Sequence, residues 1–253
     1  MYYNRVIPCL LIDGHKLLKT IKFRKENYIG DPINAVHIFN EKAVDELIVI
    51  DYKASYRKHK PDFLYINEIA GQCFMPMAYG GGISTLSDIK KLFEIGIEKV
   101  VVNTMAFYNP VKVKKAVCCF GSQSIVGAMD VKKNIFGSYT VRTNRGKHNT
   151  NISPVCYAQY LEKIGVGEIF LNNISKDGTM QGYDIKMIKE VTNNVNIPVT
   201  VCGGAGKVDD LYKAIQKGRA NAVAAGSLFV YYGSKKSILI NYPDCCTSLI
   251  SNR

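Results

Sequence analysis

The sequence predicts an α/β fold, a single (β/α)8 barrel spanning residues 1–253 and built from two similar half-barrels. Three observations carry that expectation. Eight short runs rich in Val and Ile alternate with stretches of helical period, the pattern of a parallel sheet whose strands are buried on both faces. A glycine-rich turn recurs in the two halves, with 123 residues from Gly80 to Gly203 and again 123 from Asn103 to Gly226. The chain has 253 residues, close to the roughly 250 that such a barrel needs.

The eight runs are Val6–Leu11, Glu46–Asp51, Phe74–Tyr79, Lys99–Asn103, Ile125–Asp130, Glu168–Asn172, Pro198–Cys202 and Ala222–Ala225. Between the third and fourth, Leu86, Ile89, Leu92 and Phe93 form one apolar stripe, with Asp88, Lys90, Lys91 and Glu94 on the other face. Thr85-Leu86-Ser87-Asp88 has the form of a capping box and starts that helix. Leu211, Ala214 and Ile215 mark a second helix of the same kind. Phe120-Gly121-Ser122-Gln123 is too short to separate two domains and reads as a turn into the fifth strand. Eight repeats with right-handed crossovers close naturally into a cylinder. A doubly wound open sheet is the structural rival, and the internal repeat favours the barrel.

Composition narrows the function. Apolar residues make up 47% of the chain, enough for a large core, and no long tract is biased toward disorder. The net charge is +12, but the Lys and Arg residues are scattered and do not gather on one helix or arm. That argues against nucleic acid and for a solvated surface, or for a positive field that attracts phosphorylated metabolites. The eight cysteines form no C-x-x-C pair, and several lie within apolar runs, which fits a reduced, cytoplasmic protein. The chain opens on strand-like sequence without a signal-peptide pattern, and no apolar run reaches the roughly 18 residues of a membrane span. His15, His37, His59 and His148 share no metal-ligand spacing, so no metal is expected. Neither Cys118-Cys119 nor Cys245-Cys246 resembles a zinc or redox motif, and no cofactor is implied. Asp209-Asp210 belongs in a first helical turn, and the tail Asn241–Arg253 carries no recognisable chemistry.

The paired turns do carry chemistry. Small residues let backbone N–H groups close on an anion, and a following helix adds its positive end. Tyr79-Gly80-Gly81-Gly82 with Asn103-Thr104 makes one such device; Gly203-Gly204-Ala205-Gly206 with Gly226-Ser227 makes the other. All fall at strand C-termini, the active face of a barrel. Two cradles with matched spacing suit a ligand with two phosphates.

A longer series of signatures resembles the HisF-like family, the cyclase subunit of imidazole glycerol phosphate synthase. These are Arg5-Val6-Ile7-Pro8-Cys9-Leu10, Gly30-Asp31-Pro32, Asp45-Glu46-Leu47, Asp51 with Ala54-Ser55, and Gly80-Gly81-Gly82-Ile83. Asn103-Thr104, Phe120-Gly121-Ser122-Gln123, Asp177-Gly178-Thr179, Gly182-Tyr183-Asp184 and Gly203-Gly204-Ala205-Gly206-Lys207 follow in order, and the similarity runs from Arg5 to about Phe229. The resemblance implies a barrel that receives ammonia from a glutaminase partner (HisH-like) at its N-terminal face and adds it to a phosphorylated substrate. It implies one phosphate grip at Gly81, Gly82, Asn103 and Thr104, and a second formed or bordered by Asp177, Gly178, Gly204, Gly226 and Ser227. It implies an ammonia gate of Arg5, Glu46, Lys99 and Glu168, each at or just before a strand start, with Glu98 and Gln123 near the same rim as partner contacts.

Of the family's two catalytic aspartates, the resemblance places Asp130 at the second position and Leu11 at the first. Leucine moves no proton, so the family's acid–base division cannot run unchanged. Asp13 shares a strand face with Leu11 and could substitute, or it could be the family's turn residue before Gly14. Lys19 matches the functional lysine of a mobile lid, here Lys19 to Tyr28. A kept gate, kept grips and a lost aspartate point to a HisF-like subunit outside histidine synthesis. Such paralogues are associated with amidating nucleotide-linked sugars for bacterial surface polysaccharides, with ammonia passed to a further sugar amidotransferase. The alternatives are a true cyclase of histidine biosynthesis, a non-catalytic scaffold that activates its glutaminase, and a two-phosphate isomerase relative.

Overall fold

The computed structural model describes residues 4–233, 235–243 and 246. Within them eight parallel strands close into a cylinder: β1 (Arg5–Asp13), β2 (Leu47–Asp51), β3 (Met77–Gly80), β4 (Lys99–Val102), β5 (Ile125–Lys133), β6 (Glu168–Asn173), β7 (Val199–Cys202) and β8 (Ala222–Ala225). The ring closes between β1 and β8, where Arg5 pairs with Ala222, and between β5 and β6, where Glu168 pairs with Val126. The barrel expectation holds, and the open sheet is excluded. Each expected run contains or overlaps one strand. The third starts later than expected: Phe74 lies before β3 and is 85% exposed.

Alternation along the strands builds two cores. Ile7, Ile48, Ala78, Val101, Val126, Ala128, Phe170, Ala222 and Ala224 point into the cylinder. Val6, Leu10, Ile12, Leu47, Val49, Val100 and Val102 point outward under the helices. The helices begin where the sequence supplies caps. Asp31 accepts from the Ile33 N–H at 2.7 Å with Pro32 in the first turn, and Ser153 accepts from Cys156 N at 3.2 Å ahead of Pro154. The capping box at Thr85 forms as expected, with Asp88 N donating to Thr85 Oγ1 at 3.1 Å and Thr85 N donating to Asp88 at 2.9 Å. Asp209 and Asp210 lie in the first turn of Val208–Gln216, where Asp210 accepts from Gly206 N and Lys207 N. Tyr242 in the tail is buried, and its hydroxyl donates to the Val6 carbonyl at 3.3 Å; Cys245 falls outside the described residues.

The twofold repeat is visible in the backbone. Asn103 and Gly226 precede short helices, Thr104–Tyr108 and Ser227–Val230, with nearly the same dihedrals (φ −112°, ψ −75° and φ −106°, ψ −64°). Gly81 and Gly204 share a left-handed φ, +115° and +122°. The repeat reaches beyond what the sequence reading anticipated. β1 and β5 are the two nine-residue strands, and each overshoots the barrel into antiparallel pairing. Lys16–Ile21 pairs with β1 and with Lys25–Gly30; Tyr139–Thr143 pairs with β5 and with His148–Asn149.

Candidate functional site

At the N-terminal face the four expected charges meet. Arg5 and Glu168 come from the starts of β1 and β6, Lys99 opens β4, and Glu46 precedes β2. Arg5 bonds Glu46, and its Nη2 donates to Glu168 Oε1 at 2.9 Å. Lys99 Nζ donates to Glu46 at 2.9 and 3.0 Å and to Glu168 Oε2 at 3.2 Å. Each cation therefore touches both anions, and Thr200 Oγ1 also donates to Glu168. Both carboxylates are buried, while Arg5 and Lys99 keep about a fifth to a quarter of their side-chain surface. Burial works against the charge of Glu168, but the attraction of Arg5 and Lys99 wins and its pKa is lowered. Arg5 is raised by the converse pull of Glu168 and Glu46 against desolvation. Glu98 and Gln123 are exposed residues just before β4 and β5, on the same side.

At the opposite, C-terminal face a cavity of about 130 Å³ opens among the strand ends. It brings together Gly81, Gly82, Asn103 and Thr104 of the first expected cradle with Asp130, Lys19, Asp177 and Gly226. Gly81 has no alternative: a Cβ there would stand 2.3 Å from the Asp51 carbonyl oxygen. Asp130, at the upper end of β5, is clamped by two amides. Asn103 Nδ2 donates to Oδ2 and Asn172 Nδ2 to Oδ1, both at 2.8 Å. Desolvation raises its pKa to about 6; a further push from Asp177 adds to it, and the two amides oppose it. That places its proton near neutrality, the range useful to a general acid or base. Leu11 lines the same cavity and brings no polar atom. Asp13 does not line it. Its carboxylate is held outside by Lys53 at 2.7 Å and by Arg57 at 2.5 Å.

The second expected cradle is arranged differently. Lys19, expected on a loose loop, lies on the paired strand Lys16–Ile21 and is buried. Its Nζ donates to Asp177 Oδ1 at 2.8 Å, and Thr20 Oγ1 takes the other oxygen at 2.8 Å. Burial opposes its charge, but Asp177 outweighs that and holds the lysine as an ammonium. Its side chain runs over Gly226, where a Cβ would meet Lys19 Cε at 3.0 Å. Gly178 is pressed against the Thr20 carbonyl and Gly204 against that of Gly182, so neither lines the cavity. Ser227 does not line it either, and its buried hydroxyl has no hydrogen-bond partner among the described residues. The physical reason is the hairpin: Lys22 N donates to the Asp177 carbonyl at 3.0 Å and draws this layer over the second turn.

Among the cavity's contributors, Asn172 and Arg145 had no role in the sequence reading, and Phe23 entered it only as a member of the expected lid. Asn172 had a readable signal, because Glu168, Phe170 and Asn172 share one parity of β6 and the first two point inward. Phe23 and Arg145 sit at hairpin turns with left-handed φ of +60° and +57°; no glycine marks the first turn, whereas Asn144 and Gly146 flank Arg145 in the second. Among the described residues, no cluster of three or more His, Cys, Asp or Glu side chains is placed to hold a metal ion, and no helix is long and apolar enough to cross a membrane.

A (β/α)8 barrel with doubled glycine turns at its upper rim and a buried charge ring beneath defines a class of half-barrel repeats. The model of the histidine biosynthesis protein family matches residues 5–236, and the chain belongs to that family, in its HisF-like branch. It is 47% identical over 244 residues to a Pseudomonas aeruginosa protein provisionally named imidazole glycerol phosphate synthase subunit hisF2, covering 96% of this chain and 97% of the relative. A Leptospira interrogans protein with the provisional subunit name HisF is 44% identical over 245 residues, with 96% of each chain covered. The imidazole glycerol phosphate synthase subunit HisF of a Hydrogenobaculum species is 39% identical over 229 residues, covering 90% of this chain and 91% of its own.

Proposed function

We propose that this chain is the synthase-type subunit of a glutamine amidotransferase. It receives ammonia from a glutaminase docked on its N-terminal face and holds a bis-phosphorylated ligand at its C-terminal face. It serves amidation in bacterial surface-sugar biosynthesis, with the ammonia passed on to a sugar amidotransferase. The observation that carries this reading is the pairing of a complete charge ring below with Leu11 in the same cavity as Asp130 above.

The ring suits an uncharged passenger. Two cations and two carboxylates cancel, so the entrance offers hydrogen bonds without a net field. Beyond it the inner wall is apolar, from Ile7 and Ile48 to Val101 and Ala128. Such a wall disfavours ammonium and leaves NH₃ as the form that travels. Exposed Phe74 and Glu98, beside the starts of β3 and β4, give a docked glutaminase an apolar anchor and a polar rim. Above, Gly81 and Gly82 with the Asn103–Thr104 turn hold one phosphate by backbone N–H groups. The second phosphate requires the Lys19–Asp177 pair to part, which frees an ammonium for it. Asp130 exchanges a proton near neutral pH. Ring closure in the family needs a second acid–base group, and Leu11 supplies none.

The second reading, a true cyclase of histidine biosynthesis, is favoured by the raised pKa of Asp130. The two separate in one assay with the cyclase substrate and ammonium salts. The unmodified chain is expected to show no turnover and Leu11→Asp to gain it. Robust turnover by the unmodified chain overturns the surface-sugar reading in favour of the cyclase.

A further inference from the structure

Above the central cavity, between the two hairpins, lies a second cavity of about 360 Å³ whose charge is all of one sign. Lys22 and Arg24 come from the first hairpin turn, Lys132 from β5, Arg142 from the strand paired with β5, and Arg145 and Lys147 from the turn beyond it. No Asp or Glu lines it. Lys22, Arg24, Lys132 and Arg142 have no carboxylate partner among the described residues. Arg145 reaches only Glu26, at 3.5 Å, and Lys53 already holds that carboxylate at 2.7 Å.

We propose that this cavity is a binding site for the diphosphate group of a small molecule, separate from the two glycine cradles. Clustered like charges repel one another, and a chain of net charge +12 offers no general compensation. The arrangement is nonetheless built. Arg142 Nε and Arg145 Nε are buried donors with no acceptor among the described residues. The Arg145 guanidinium is fixed between Tyr52 and Tyr56, 4.7 and 5.4 Å from their ring centres. Lys22 and Phe23 turn the first hairpin with φ of +53° and +60°, and Arg24 N donates to the Ile21 carbonyl at 3.0 Å. That turn favours Asn-Gly, and Lys-Phe stands there at a backbone cost.

The charge count sets the ligand class. One phosphoryl group carries about −1.5 to −2 charges at neutral pH. Four unpaired cations around one space match two linked phosphoryl groups. Phe23 and Arg145 line both this cavity and the central one, so the rest of such a ligand extends toward Asp130. The inference does not rest on ammonia delivery, and its test leaves the charge ring untouched.

The test is calorimetric titration of the full chain with pyrophosphate, inorganic phosphate, sulfate and a nucleoside diphosphate. Pyrophosphate is expected to bind about tenfold or more tightly than phosphate or sulfate. Lys132→Gln with Arg142→Gln weakens it about tenfold, and Lys90→Gln, on an exposed helix face, leaves it unchanged. Tighter binding of the nucleoside diphosphate assigns the diphosphate to a nucleotide; equal or weaker binding assigns it to another diphosphate. Without ligand, the double variant keeps or raises the thermal midpoint, because it relieves repulsion, and pyrophosphate raises the midpoint of the unmodified chain more than that of the variant. If the double variant does not fold, Lys22→Gln with Arg24→Gln on the hairpin gives the same readout. Equal pyrophosphate affinity in variant and parent, or no preference over sulfate, overturns the proposal.

Discussion

The two mouths of this barrel handle charge in opposite ways. Below, Arg5 and Lys99 each touch both Glu46 and Glu168, and the ring closes on itself. Above, Lys22, Arg24, Lys132 and Arg142 surround one space with no carboxylate among its lining. A self-neutralised ring needs no counter-ion; an unbalanced set of cations repels itself until an anion compensates it. The same contrast appears in the buried pairs. The lower ring spends no charge on a ligand, whereas Lys19 and Asp177 above are joined by a bond that a phosphate could replace. One fold thus separates a self-neutralised ring from a cationic face, and it does so with residues at opposite ends of the barrel.

The contrast breaks most severely if the lower ring is opened. Glu168→Gln leaves two cations with one carboxylate in a largely desolvated place. Breaking a buried pair in this way costs about 3 kcal/mol, about 6–12 °C in thermal midpoint for a chain of this size. The sign with pH follows from Glu168, whose folded pKa is lowered below its ordinary 4.5. Its contribution is therefore present above that value and is lost as the pH falls through the folded pKa. The gap between parent and variant closes in acid. A midpoint drop under about 2 °C at pH 7 would mean that water screens the ring, as it does an ordinary surface pair.

On the upper side the largest effect falls on a glycine. Gly81→Ala puts a Cβ 2.3 Å from the Asp51 carbonyl oxygen at a φ of +115°. Strain and clash together cost about 2 kcal/mol. Gly14→Ala, at φ +57° with open space around it, costs about 1 kcal/mol and serves as the comparison. Equal losses in urea titration would show that the Gly81 turn relaxes, and would weaken its assignment as a fixed cradle.

These two sites also differ in how they could be read. The cylinder was legible because each strand is a short Val and Ile run with turn residues after it, and the glycine turns were legible because they repeat at one spacing. The ring was not readable from pattern. Its members stand as far apart as 41 and 163 residues, and only the family resemblance joined them. The first hairpin was missed for a local reason. Lys25–Gly30 is mostly exposed and polar, and Lys22-Phe23 lacks the glycine or asparagine that announces a tight turn. The basic cavity between the two hairpins was invisible because its members are dispersed along the chain. Six cations scattered along the chain look like an ordinary solvated surface until two turns bring them together.

The smallest effect sharpens the contrast at its centre, where the apolar wall meets the C-terminal face. Asp130 has a folded pKa of about 6, above the ordinary 3.8. A raised carboxylate favours the folded state when protonated. That advantage is full below the unfolded value and disappears as the pH rises through about 6. At pH 8 the protein therefore carries an ionised group that the site disfavours. Asp130→Asn removes it and stabilises the chain there. The gain is about 1 kcal/mol, less than the shift alone implies, for two reasons. The carboxylate keeps some contact with water, and Asn172 or Asn103 must reorient its amide to face a new donor. In thermal scans the variant should melt about 2–4 °C above the parent at pH 8 and lose that lead by pH 4. A variant that is instead weaker at pH 8 than at pH 5, relative to the parent, would show that the two amides favour the ionised form. Asp130 would then belong with the fixed charges of the lower ring, and its part as a proton carrier would fall.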